Sequence, residues 1–105
     1  MKLTNFDYRH RIEELVELAV NGTISPQMGV VAQGLMTSTP APEAVFSEAN
    51  MSSDDLVALF APLCDISNNE VAEVMLALGY KVYLDPLDGP MWAFAETKAD
   101  NKFDD

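Results

Sequence analysis

The chain has 105 residues and a formal net charge of −11 at pH 7, because seventeen Asp and Glu face six Lys and Arg. Its length predicts a single domain, and a hydrophobic content of 49% predicts a folded core rather than a disordered chain. An acidic surface repels nucleic-acid phosphates and attracts basic proteins, which argues against direct nucleic-acid binding.

The acidic residues are distributed unevenly. No Lys or Arg occurs between Ile12 and Tyr80, and this span contains ten acidic residues. A surface of one sign is expected to attract a basic partner. The alternative interpretation is that the acids serve only solubility.

The chain contains one cysteine, Cys64, and one histidine, His10. A lone cysteine excludes an internal disulfide, and together with the missing signal peptide and the missing membrane span it indicates a cytoplasmic protein. A zinc site needs more ligands than these two residues, and nucleophilic catalysis needs a base and an orienting group. The sequence therefore predicts no enzymatic activity, no metal and no cofactor.

The first predicted helix runs from about Asn5 to Val20, with Thr4 or Asn5 as its cap, and ends at Asn21-Gly22. Its apolar side chains recur every three or four residues, as on the buried face of a helix: Tyr8, Ile12, Leu15, Val16 and Ala19, widened by Leu18 and Val20.

Ser25-Pro26 predicts the start of a second helix, because serine caps a helix and proline suits the first helical position. Its buried stripe is Met28, Val31 and Leu35. Gly29 and Gly34 weaken the helix by propensity, and we expect them where another backbone packs closely.

Composition predicts a linker over Thr37–Pro42 and a short helical turn over Glu43–Ala49. A third helix is predicted after Ser52 or Ser53, ending before Pro62, with Leu56, Leu59 and Phe60 facing inward. Ser67-Asn68-Asn69-Glu70 is typical of a capping box that opens a fourth helix. The buried stripe of that helix is Val71, Val74, Met75 and Leu78, and Gly79 is its predicted C-terminal cap.

Alternating residues predict a hairpin with strands Lys81–Leu84 and Met91–Ala95, joined by a stiff loop over Asp85–Pro90. The predicted core face of the hairpin comprises Val82, Leu84, Trp92 and Phe94, with Tyr83 outside. We expect residues 1–97 to form one compact helical domain with this C-terminal hairpin, followed by a flexible acidic tail over residues 98–105.

The predicted fold class is mainly α with a C-terminal β-hairpin (α+β). Helix, tight turn, capped helix and hairpin over residues 53–96 resemble the second half of a winged helix in their order. In DNA-binding winged helices the second of these helices lies in the major groove and basic residues contact phosphates. Here that helix presents no basic residue, and it carries Glu70 and Glu73. This departure from the DNA-binding pattern favours a protein-binding use of the fold.

These observations predict a small acidic protein-binding module that inhibits or modulates a nucleic-acid-handling protein, in the manner of the DNA mimics of phages and mobile elements. Its partner would be a basic protein surface, and neither nucleic acid nor membrane would bind directly. The candidate partner-binding residues are the carboxylates of the third and fourth predicted helices and of the hairpin loop: Asp54, Asp55, Glu70, Glu73, Asp85 and Asp88.

Two alternatives stay open. One is a scaffold or assembly protein, or a homodimer, that binds through an adaptable apolar surface of Met28, Met36, Met51 and Met91. The other is a winged-helix DNA-binding regulator, which would need a homodimer or a basic partner to supply positive charge.

Overall fold

The computed structural model describes the backbone of residues 5–95 and the side chains from Asp7 to Ala95. Within these residues the chain is mixed α and β, as predicted, and the predicted tail over residues 98–105 lies outside them. Helices precede an antiparallel hairpin in the order α1 (Asn5–Val20), α2 (Pro26–Gly34), α3 (Ser53–Phe60), α4 (Asn68–Ala77), β1 (Lys81–Asp85) and β2 (Gly89–Ala93).

Serine caps the N-terminus of each of α2, α3 and α4. The hydroxyl oxygens of Ser25, Ser52 and Ser67 accept hydrogen bonds from backbone N–H groups in the first turn of their helices. These bonds satisfy donors that a helix start leaves without a partner. The predicted starts of the three helices are therefore confirmed.

The C-terminus of α4 closes as predicted at Gly79. The backbone N–H of Tyr80 donates to the Met75 carbonyl at 3.0 Å, and that of Gly79 donates to the Leu76 carbonyl at 3.1 Å. This pair of bonds is the Schellman motif, which needs a residue at positive φ, and Gly79 has φ 91°. The chain leaves the helix at a defined angle and enters the hairpin one residue later.

The core lies where the four helices meet the start and end of the hairpin. The predicted stripe of α4 is fully buried, and the predicted stripe of α2 is buried as well. No buried side-chain nitrogen or oxygen of the described residues lacks a hydrogen-bond partner. The largest fully buried side chains are Ile12, Val31, Leu56, Val71, Val74, Met75 and Leu78.

Two buried tyrosines tie α1 to the start of the hairpin. The Tyr8 hydroxyl donates to the Leu35 carbonyl at 2.8 Å and lies 2.6 Å from the Tyr80 hydroxyl. Because the single hydroxyl proton of Tyr8 goes to the carbonyl, Tyr80 must be the donor in the second bond. Burial raises the pKa of Tyr80 and of Tyr8, so both phenols stay protonated.

The segment predicted to be a linker is instead attached to the hairpin. The backbone N–H of Ala41 donates to the Ala93 carbonyl at 3.0 Å, and Met51 exchanges two backbone hydrogen bonds with Trp92. Residues 43–49 form bends and a turn, so the predicted short helix there is wrong. The edge of β2 that does not face β1 has free backbone N–H and C=O groups, and this segment pairs with them. Composition cannot predict such a long-range pairing.

Three side chains predicted to be buried in α3 and the hairpin are exposed. Val82 and Leu84 lie on the solvent side of β1, although Trp92 and Phe94 are buried as predicted. Tyr83, predicted to be outside, is half-buried with its ring against Phe46. Leu59 of α3 is also exposed. The further pairings of the hairpin, with Pro40 and Met51, are made at Phe94 and Trp92, so alternation along β1 does not produce a buried face.

Helices α1 and α2 approach each other closely at Gly29, as predicted for the α2 glycines. A Cβ atom built on Gly29 would lie 2.7 Å from the Cβ of Ala19, closer than two carbon atoms can pack. At Gly34 the close neighbour is the Phe60 ring rather than another backbone.

We expect Gly29→Ala to destabilise the protein by about 1–3 kcal/mol, because overpacking outweighs the gain of up to ~1 kcal/mol in helix propensity. Chemical denaturation measures the difference. Gln33→Ala, at an exposed position of the same helix, is the control and should change stability by less than about 0.5 kcal/mol. A stabilised Gly29→Ala variant would contradict the close packing of α1 and α2.

Candidate functional site

The starts of α3 and α4 bring four of the six predicted site residues onto two linked helices. The Asn68 side-chain amide, in the first turn of α4, donates to the Asp54 carboxylate of α3 at 2.9 Å. This bond holds the two helix starts side by side. We call the carboxylates of these two helices the α3–α4 carboxylates: Asp54, Asp55, Glu70 and Glu73.

Two of the α3–α4 carboxylates are fixed by capping boxes. The Asp55 carboxylate accepts the Ser52 backbone N–H at 3.0 Å, and the Glu70 carboxylate accepts the Ser67 backbone N–H at 3.1 Å. In each box the serine hydroxyl accepts in return the backbone N–H of its acidic partner. Negative charge is also favoured here because a helix N-terminus is the positive end of its dipole.

Glu70 has the most strongly supported negative charge of the group. The backbone N–H of Ser67 donates to its carboxylate, and this bond, together with the nearby Ser25 side chain, lowers its pKa below the ordinary value of 4.5. Ser25 is the cap of α2, so Glu70 also connects α4 to the start of that helix. The carboxylate is therefore ionised at neutral pH and held in one place.

The two hairpin residues are separate from this group. The Asp85 carboxylate accepts the backbone N–H groups of Leu87 and Asp88 at 3.0 and 2.8 Å, which shapes the turn between β1 and β2. Asp88 is exposed in that turn. Among the described residues, no hydrogen bond or ion pair joins either residue to the α3–α4 carboxylates.

Few carboxylates in the described part of the chain have a basic side chain nearby. Within residues 5–95 acidic residues outnumber Lys and Arg thirteen to three. From Glu13 to Asp88 only Glu14 is in an ion pair, with His10 at 3.3 Å. Arg11 and Lys81 donate instead to the backbone carbonyls of Ala77 and Pro42. Negative charge is thus left facing solvent over most of the surface.

Metal ligands, the cysteine thiol and membrane-spanning helices are the other features to consider in the described residues. No group of three or more His, Cys, Asp or Glu among residues 5–95 is arranged to hold a metal ion. Burial, followed by the nearby charges of Asp65 and Glu70, raises the pKa of the Cys64 thiol, which keeps it protonated and poorly nucleophilic. No helix in the described range is both long and apolar enough to cross a bilayer.

Of the four methionines proposed for a scaffold surface, one is buried and three are half-buried. Met28 is buried in the core, and Met36 and Met51 pack against the core. Met91 is half-buried on β2. A surface built on these residues would therefore lack Met28.

The site contains two residues that the sequence did not identify. Asn68 joins α4 to Asp54, and Ser25 joins the start of α2 to Glu70. Both act across elements that are far apart in the sequence, so no local motif marks the contact. No protein-family model, curated protein or solved structure matches the chain.

We expect Glu70→Gln to flatten the pH dependence of stability at acid pH. The lowered pKa of Glu70 in the folded protein means that its stabilisation is complete above pH 4.5 and is lost as the pH falls through the lower folded value. Glutamine keeps the capping oxygen but does not titrate. Because Glu70 is partly exposed, the difference should stay below about 1 kcal/mol.

Chemical denaturation at pH 6 and pH 3 measures this effect. Glu73→Gln is the matched control, because Glu73 is exposed on the same helix and its side chain makes no hydrogen bond within residues 5–95. Its pH dependence should follow that of the unmodified protein. Parallel curves for the Glu70 and Glu73 variants would contradict the capping role of Glu70.

Proposed function

We propose that the protein is an acidic binding module that inhibits or modulates a nucleic-acid-handling protein by occupying a basic groove in place of phosphates. Its partner is the basic surface of that protein, and the protein itself is not an enzyme. The observation that carries the proposal is the set of solvent-facing carboxylates without cationic partners between Glu13 and Asp88.

Rigid placement of charge supports this proposal. A mimic must present carboxylates at fixed positions, because mobile charges lose conformational entropy on binding. Asp54, Asp55 and Glu70 are each held by a hydrogen bond to a neighbouring backbone or side-chain group. Each of these bonds uses one oxygen of the carboxylate, so the second oxygen of each can accept a Lys or Arg donor.

We further propose that residues 51–95 have the topology of a winged helix that binds protein. The order α3, α4, β1, β2 and the antiparallel pairing of Met51 with Trp92 support this topology. The exposed residues of α4 include Asn69 and Glu73, and the hairpin turn presents Asp88, so contacts with DNA phosphates would be repulsive. A DNA-binding regulator is the less favoured use of the same topology.

The test is capture of partners from a bacterial lysate on immobilised protein, followed by competition with duplex DNA. The proposal predicts that the captured protein handles nucleic acid and that DNA and this protein exclude each other from it. Capture of a protein whose DNA binding is unaffected would contradict the mimic.

An amide variant locates the interaction within the molecule. Asp54→Asn, Glu70→Gln and Glu73→Gln together remove three charges but keep the hydrogen-bonding oxygens, and they should weaken capture at least about tenfold. The matched control removes three charges elsewhere, by Glu14→Gln, Glu43→Gln and Glu48→Gln, and should weaken it less than about threefold. Equal losses would mean that only total charge matters, and that the α3–α4 carboxylates are not the site.

A further inference from the structure

An open apolar groove of about 470 Å³ runs along the contact between α1 and α2. Gln33 is its one polar lining side chain, and no charged residue lines it. The small residues at the close approach of the two helices form its base, and larger apolar side chains form its sides. It is lined by Val16, Ala19, Val20, Pro26, Gly29, Val30, Gln33, Gly34 and Leu63.

Two of the apolar side chains that line the groove are exposed to solvent. Val20 at the end of α1 is 81% exposed, and Leu63 after α3 is 70% exposed. Val20 was expected to widen the buried stripe of α1, but the close packing of α1 against α2 leaves it outside the core. Exposed apolar side chains that flank a common groove are typical of a surface that a partner covers.

Every lining residue lies within the Lys- and Arg-free span from Ile12 to Tyr80. Glu17 follows Val16 on α1 and is exposed. Next to Pro26, the side chain of Gln27 donates to the backbone carbonyl of Asp65, and the Ser25 side chain lies near the Glu70 carboxylate. The groove is thus apolar inside, and acidic residues lie near its lining: Glu17 follows Val16 in α1, and Asp65 and Glu70 lie beside the two neighbours of Pro26.

We propose that this groove receives one amphipathic helix of the partner, whose apolar stripe enters the groove and whose flanking Lys or Arg residues contact Glu17, Asp65 and Glu70. The inference rests on the proposed function, because it assumes a basic partner. It adds that the recognised element is a helix with an apolar face, and that affinity comes from apolar burial as well as from charge.

Shape and charge favour this occupant over two others. A pocket for a small molecule encloses most of its ligand, whereas this groove is open along its length. A second copy of the chain would bring a further charge of −11 to an acidic rim, which like-charge repulsion opposes.

The probe is a fluorescent peptide of roughly 18 residues made of Leu and Lys, with Leu at helical spacing to form one apolar stripe. Val20→Gln with Leu63→Gln removes apolar surface from the groove without changing charge. This groove variant should bind the peptide at least about tenfold more weakly by fluorescence anisotropy. Both positions are largely exposed, so the variant should unfold thermally close to the unmodified protein.

The matched control is Leu84→Gln with Leu87→Gln, which replaces two hairpin side chains that are 71% and 93% exposed and lie outside the groove. The control should bind the peptide within about twofold of the unmodified protein. Equal weakening by the groove and control variants would overturn the inference. So would equal binding of a peptide in which Glu replaces every Lys.

The two proposals fail in different ways. If the groove variant still captures the basic partner from lysate and the amide variant does not, the groove inference is wrong and the acidic site stands. If neither variant changes capture, both are wrong. Loss of capture by both variants, with retention by both controls, supports both proposals.

Discussion

The position of α4 is the constraint on which the rest of the structure depends. Its four stripe residues are fully buried, and both of its ends are closed by hydrogen bonds, at Ser67 and at Gly79. Asn68 attaches it to α3, and Arg11 of α1 donates to the Ala77 carbonyl at its C-terminus. The hairpin begins directly after it, and Tyr80 anchors that junction in the core. Helices α1 and α3 and the start of the hairpin are therefore placed by contacts with α4 or with its two ends.

This arrangement explains how the fold accommodates its charge. Acidic side chains placed at helix N-termini are stabilised by backbone N–H groups and by the helix dipole, and they need no Lys or Arg nearby. Asp55 and Glu70 are held in this way, whereas Asp85 serves the hairpin turn. The carboxylates of Asp55 and Glu70 stabilise local structure from positions that are exposed at Asp55 and half-buried at Glu70. One carboxylate can therefore cap a helix and also bind a partner. The capping hydrogen bonds fix the position of the carboxylate, as recognition of a basic surface requires.

Local signals predicted most of the helical fold. Ser67 and Glu70, three residues apart, mark the start of α4, and Gly79 marks its end, because caps depend only on neighbouring residues. Pairings across the chain could not be predicted. The attachment of Ala41 and Met51 to β2, the exposure of Val82 and Leu84, and the exposure of Val20 all follow from which surfaces meet in three dimensions. For the site, the sequence identified the acidic residues but neither the Asn68–Asp54 bond nor the separation of the hairpin carboxylates from α3 and α4. The groove was missed for the same reason, because its two sides come from α1 and from the residue after Pro62.

The central claim is that solvent-facing carboxylates bind a basic partner, and the salt dependence of that binding tests it most directly. Affinity for the captured partner should be measured between about 0.05 M and 0.5 M salt. Over this range the Debye length, the distance over which charges interact, falls from roughly 14 Å to roughly 4 Å. We expect affinity to fall steeply as the salt concentration rises. We expect a smaller fall for the variant with Asp54→Asn, Glu70→Gln and Glu73→Gln. A complex whose affinity does not change across this range would contradict it, and would mean that the acidity of the chain serves only its solubility.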